Sequence, residues 1–206
     1  MDPSLPAPRL LPERPGAVPH ALSVGMRSAL SERPRASLSS VGVIEAAVLV
    51  GLFEGPLGEA RVWLMRRPDT LRTHSGQVAL PGGKRDPGDI DIVSTALREA
   101  EEEIGLPPQH VEVLGVADDL FTRTGFVITP VVGWIQGPFE PRPNPTEVSR
   151  VFSAPFATFR ERGVLEPMPI PSSRAIMVRV FRVEGEVVWG ATAAILTALS
   201  SRVAER

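Results

Sequence analysis

Three glutamates and the arginine before them carry the most chemistry in this chain. They lie in the run Arg98-Glu99-Ala100-Glu101-Glu102-Glu103-Ile104-Gly105-Leu106. Helical geometry gathers Glu99, Glu102 and Glu103 on one arc about 100° wide. Val93, Leu97, Ala100 and Ile104 share a second arc, so a helix here has an apolar face and an acidic one. Such a helix is electrostatically uncomfortable by itself. Glu99 and Glu103 are like charges at i,i+4, and the glutamates crowd a C-terminus whose macrodipole disfavours anions. Gly105 reads as a left-handed cap, with the prolines at 107 and 108 ending the helix. Carboxylate oxygens behind a Gly82-Gly83 loop that can turn a backbone carbonyl inward suit a hard cation, Mg²⁺ or Mn²⁺. The bland alternative is a solvated acidic surface. Against it stand Arg98, placed i,i+4 to Glu102, and the glycine loop that leads in from a β-like run.

The elements that position this helix are legible from periodicity. Residues 41–53 are β-branched and almost continuously apolar, as a central strand is. Turn chemistry at 55–58 leads to an alternating strand over 59–67, a hairpin that ends on Arg66 and Arg67. Those two arginines alternate across the strand, so one of them faces the site. A loop with Arg72 and His74 follows, then a short strand over 76–80 running into Gly82 and Gly83. Downstream, 110–116 and 124–135 read as strands, with Asp118 and Asp119 as turn residues between them. Residues 136–147 form a loop with four prolines. Residues 151–160 read as a short helix, 174–183 and 187–189 as strands, and 191–203 as an amphipathic helix. Residues 1–40 stand apart as an N-terminal region: six prolines within 1–20 predict an extended arm, and 21–32 a short helix stopped by Arg33-Pro34. The main domain is expected over 41–206, as an α/β sandwich with a central mixed sheet.

Composition narrows the function classes. The chain has 206 residues, 43% apolar, with a formal net charge of −2. That balance gives no reason to expect nucleic acid or an anionic membrane as partner. The absence of cysteine excludes a disulfide framework, a thiolate zinc site and a cysteine nucleophile. No apolar run approaches a membrane span and no secretory pattern opens the sequence, so the expected compartment is the cytoplasm.

The helix motif resembles the Nudix box, G-x5-E-x7-R-E-U-x-E-E-x-G-U with U apolar. The run from Arg98 to Leu106 matches at every specified position. The left half departs: Asp89 stands in place of glutamate, and eight residues rather than seven separate it from Arg98. Upstream, residues 63–83 are similar to the extra signature of the coenzyme A pyrophosphatase branch, L-L-T-x-R-S/A-x3-R-x3-G-x3-F-P-G-G. Arg67, Arg72, Gly76, Pro81, Gly82 and Gly83 match, while Met65, Pro68 and Leu80 depart.

The resemblance implies a Nudix-type α/β/α sandwich and metal-dependent hydrolysis of the pyrophosphate of coenzyme A or a derivative, to 3′,5′-ADP and 4′-phosphopantetheine. It implies that Glu99, Glu102, Glu103 and the Gly82 carbonyl hold Mg²⁺ or Mn²⁺. Arg98 then orients Glu102 by a salt bridge, and Gly83 belongs to the substrate loop. Arg66, Arg67, Arg72 and His74 are the candidate contacts for substrate phosphates. His74 reads more readily as a local hydrogen-bonding residue than as a substrate contact. The general base stays open between a box glutamate and Glu147, which sits where Asn144-Pro145-Thr146-Glu147 also has capping chemistry. A homodimer is the expected assembly. Two alternatives stand: a Nudix hydrolase for ADP-ribose, an NDP-sugar or a dinucleoside polyphosphate, and a non-catalytic module that binds a nucleotide.

Overall fold

The computed structural model describes residues 21–32, 35–38, 42–71, 73–168 and 176–204. The proline-rich arm over 1–20, the Arg33-Pro34 stop and Arg72 lie outside the described residues.

A mixed α/β architecture is built on strand β1 (Ile44–Glu54), whose apolar run is buried on both sides. β1 forms a hairpin with β2 (Ala60–Arg66) and a parallel ladder with β7 (Phe126–Ile135). Its first half also pairs with β4 (Gly82–Lys84), with Ala47 opposite Gly83 and Val48 opposite Gly82. β3 (Val78–Ala79) extends the sheet beyond β2. β5 (Val111–Val116) and β6 (Leu120–Phe121) both pair with β7, and β8 (Arg150–Pro155) runs antiparallel to β2. A second, three-stranded sheet is made by β9 (Val164–Met168), β10 (Ile176–Val183) and β11 (Glu186–Val188).

Helices cover both faces of the main sheet. α2 (Ile92–Ile104) packs Val93, Ala96, Ala100 and Ile104 against Ala47 and Leu49 on one face. α1 (Ala21–Glu32) and α3 (Gly190–Ala204) share the other face, where Met26 and Leu30 meet the cluster that includes Val50, Leu52, Leu196 and Leu199. Gly115 makes room for this contact, since a Cβ there would sit 3.0 Å from Cβ of Leu30. No described helix is long and apolar enough to cross a membrane.

Several elements differ from the sequence reading, which holds no counterpart of β9. Residues 150–155 form a strand, with a 3₁₀ turn only over Phe156–Arg160. Pro155 is the last residue of that strand, opposite Arg61. β4 and β6 are too short to show any periodicity. Asp119 is not a turn residue: its side chain is 1% exposed, and it accepts from both Arg35 and the Thr129 hydroxyl.

Candidate active site

The site is assembled where β4 and α2 meet. Asp91 caps the start of α2 by accepting the Ser94 N–H at 2.7 Å, and Ser94 returns the bond to the Asp91 N–H. Gly105 closes the other end in the left-handed region at φ 70°, as its position predicts. Between these caps the helix lies close to β4, and a side chain on Gly83 would displace the Glu99 carboxylate, while Gly82 is hemmed in by β1. A Cβ on Gly83 would stand 2.5 Å from the Glu99 carboxyl carbon, and one on Gly82 would run into the β1 backbone. That close approach lets the Gly82 N–H donate to Glu103 Oε2 at 2.8 Å.

The three box glutamates have different environments. Glu102 is the open one, with 57% of its side chain exposed. Glu103 is 1% exposed, deeper than its place on an acidic helix face suggests. Burial is the main reason its pKa is pushed up to about 8. The Gly82 N–H and Arg67 pull it down, while Glu99 and Glu147 push it further up. Glu99 is also raised, first by burial and then against the pull of Arg98.

Arg98 ties the set together. Its Nη1 is 2.9 Å from Glu99 Oε1 and 3.3 Å from Glu102 Oε2, so the expected link to Glu102 is present. Its principal partner, however, is Asp89, which takes Nε at 2.9 Å and Nη2 at 3.1 Å. Nη2 also donates to the Lys84 carbonyl at 3.2 Å, fixing the end of the glycine loop. Asp89 further accepts the Thr95 hydroxyl and the Asp86 N–H. Above all the Arg98 bonds hold its carboxyl well below the usual range, and Asp89 in turn raises Arg98. Sequence reasoning left Asp89 without a role because it breaks the box spacing. The signal available was the i,i+6 pairing of a loop aspartate with Thr95 at the start of a helix.

The proline-rich loop comes to the same place. Its backbone is fastened to the last turn of α2 by Arg142 N–H to the Ile104 carbonyl at 2.8 Å and Asn144 N–H to the Glu103 carbonyl at 2.9 Å. Asn144 Oδ1 accepts from the Thr146 hydroxyl, so the capping chemistry forms a turn rather than a helix. Glu147 lies in this turn, near enough for its charge to act on both Glu99 and Glu103.

Of the candidate basic residues that are described, only Arg67 is brought to the carboxylates, with Nη1 3.8 Å from Glu103 Oε1. Arg66 points elsewhere, as strand alternation requires. It is engaged by Asp69 at 2.7 Å and Glu186 at 3.5 Å, and so links β2 to the second sheet. His74 has φ 56° and bonds Gln77 Oε1 through Nδ1 at 2.8 Å, a local contact.

The donor set suits a hard divalent cation by its chemistry. Glu99, Glu102, Glu103 and Glu147 supply only carboxylate oxygens, and two of them are desolvated beside one another, a repulsion that a cation relieves. Among the described residues no three His, Cys, Asp or Glu side chains are already drawn into a coordinating group. The fit therefore rests on residue type and charge.

Comparison with known proteins places this arrangement. The NUDIX domain signature matches residues 44–186. A Cronobacter sakazakii protein named "Uncharacterized Nudix hydrolase NudL" is 39% identical, over 84% of this chain and 90% of its own. "Nudix hydrolase 22, chloroplastic" from Arabidopsis thaliana is also 39% identical, over 86% of this chain and 65% of its own length. In fold, a NUDIX hydrolase from Alicyclobacillus acidocaldarius superposes with a TM-score of 0.52 at 21% identity, covering 79% of this chain and 93% of that one. A MutT/nudix family protein from Enterococcus faecalis gives 0.52 at 14% identity, over 85% and 67%.

Proposed function

The chain belongs to the Nudix family, and from that premise we propose that it hydrolyses the pyrophosphate bond of coenzyme A or a derivative, releasing 3′,5′-ADP and 4′-phosphopantetheine. Nudix pyrophosphohydrolase activity on a nucleoside diphosphate derivative is the part the family supports directly. The finer reading rests on one observation. The segment that resembles the coenzyme A branch signature, residues 63–83, delivers Arg67 to within 3.8 Å of Glu103 and Gly82 to its other oxygen. Two of the residues that resemble the branch signature, Arg67 and Gly82, thus lie beside a box glutamate.

Glu99, Glu102 and Glu103, with the Gly82 carbonyl, would hold Mg²⁺ or Mn²⁺. The cation, when bound, supplies neutralisation of the diphosphate and a more acidic water. The other work belongs to side chains. Arg98, braced by Asp89, pairs with both Glu99 and Glu102 and so holds the two carboxylates in place relative to each other. Glu147 is the proposed base, accepting a proton from the attacking water as one P–O bond forms and the bridging P–O bond breaks. Arg67 binds a phosphate oxygen of the substrate, with Arg72 proposed beside it. A cytoplasmic homodimer completes the proposal.

The test is a product assay on coenzyme A and ADP-ribose in parallel, with Mg²⁺ and with Mn²⁺. The expected result is faster turnover of coenzyme A, with 3′,5′-ADP as product. Faster hydrolysis of ADP-ribose overturns the substrate assignment, and cleavage of neither overturns the enzyme.

A further inference from the structure

Arg67 is an under-satisfied cation beside a buried carboxyl group. Its Nη1 stands 3.8 Å from Glu103 Oε1, beyond hydrogen-bond length but within reach of the charge. Its Nε is buried with no hydrogen-bond partner. The neighbouring Arg66 shows what a settled arginine looks like here, with two carboxylates and the Ser149 hydroxyl around it. Glu103 is in the matching position: buried, with Oε2 bonded by the Gly82 N–H and Oε1 3.8 Å from the guanidinium, within reach of the charges of Glu99 and Glu147. A buried donor without a partner is a standing cost. A long, loose pair is therefore one that either member leaves readily for a better partner.

We propose that Arg67 is the resident neighbour of the Glu103 carboxyl group in the cation-free protein, and that an arriving divalent cation displaces it from Glu103 toward the substrate's phosphate oxygens. This rests on the reading of Glu103 as a cation ligand. Arg67 and the cation compete for one carboxylate, so Arg67 weakens binding of the cation alone. Once displaced, the guanidinium has both its unpartnered Nε and its fork free for a phosphate, so the cation prepares the site for the anion. The coupling is reciprocal: a phosphate that draws Arg67 away frees Glu103 for the cation, so cation and phosphoanhydride each favour the binding of the other.

The test is calorimetric titration of Mn²⁺, without substrate, into the full-length wild type, Arg67→Gln and Arg123→Gln. Arg123 is an exposed residue in the turn before β7 and controls for loss of one positive charge. Arg67→Gln is expected to bind Mn²⁺ about fivefold or more tightly than wild type, with Arg123→Gln unchanged. Equal or weaker binding by Arg67→Gln, or equal tightening by Arg123→Gln, overturns the proposal. If Arg67→Gln fails to fold by circular dichroism, the Arg67 Nε–H resonance of the wild type is followed by NMR during Mg²⁺ addition. Its movement supports displacement, and a fixed resonance overturns it. Wild type that binds no Mn²⁺ removes the cation reading itself. Mn²⁺ binding left unaltered by Arg67→Gln removes only the competition.

Discussion

The glutamates of one helix are chemically unequal, and that inequality decides which can be changed cleanly. Glu102 is exposed and supports no core contact, whereas Glu103 is enclosed and bonded to the glycine loop. Glu102→Gln should therefore lower kcat on the order of a hundredfold or more while the thermal melt stays where it was. Steady-state kinetics and circular dichroism on the same sample check this; unchanged turnover excludes the roles given to the box. The sequence alone shows which three carboxylates share an arc, because that follows from helical period. It does not show that Glu103 is buried, because its cover comes from Gly82, whose close approach depends on the pairing of β4 with β1. Arg66 and Arg67 are a similar case: alternation says that one faces the site, but Asp69 and Glu186 decide which.

At the scale of elements, the unit that matters is loop–helix: the segment from Gly82 through Asp91 and the helix it starts. Asp89 bridges the two, taking Arg98 from the helix and the Asp86 N–H from the loop. Asp89→Asn keeps the shape and removes the charge, and should cost about 2 kcal/mol of stability at neutral pH by urea unfolding. The pH dependence has a definite sign. Asp89 has a pKa below its unfolded value, so its contribution is fully present above about pH 4 and is lost as pH falls further. Wild type and Asp89→Asn should accordingly converge in stability in acid, and a gap that persists there would contradict the ion-pair account. The helix and its caps are legible because Gly105 and the apolar period are local signals. The Asp89 link is not, because one extra residue in the loop takes it off the motif, and its partners Thr95 and Arg98 are set by the fold.

For the whole molecule, the first described helix is part of the main core. Met26 and Leu30 are buried with residues of β1, β5 and α3. Arg27 pairs with Glu112, Arg202 Nε donates to the Ala29 carbonyl at 3.0 Å, and Arg35 neutralises the enclosed Asp119 at 2.6 Å. We propose on this basis that the boundary expected near residue 40 divides the sequence without dividing the folding unit. Removing residues 1–41 would uncover an apolar face and strand the Asp119 carboxylate, a loss of about 3–5 kcal/mol from that group alone. The truncated chain is expected to be insoluble or to melt far below the full chain; an equal melting temperature would show the region to be dispensable. These contacts escape sequence reading because Arg35 and Asp119 lie 84 positions apart, while composition points to the prolines that precede them.

The fastening of the proline-rich loop to the last turn of α2 has a bearing on inhibitor chemistry. Because Asn144 and Arg142 are bonded to the carbonyls of Glu103 and Ile104, Glu147 and Glu103 ride on one rigid body. A compound that tries to wedge these two carboxylates apart must break backbone bonds and fray the helix, and its affinity carries that penalty. A compound that spans them with a polar bridge, or that reaches past them along Arg67, leaves the bonds intact. The direction of productive elaboration is thus outward from the glutamates along β2, with the loop left closed behind it.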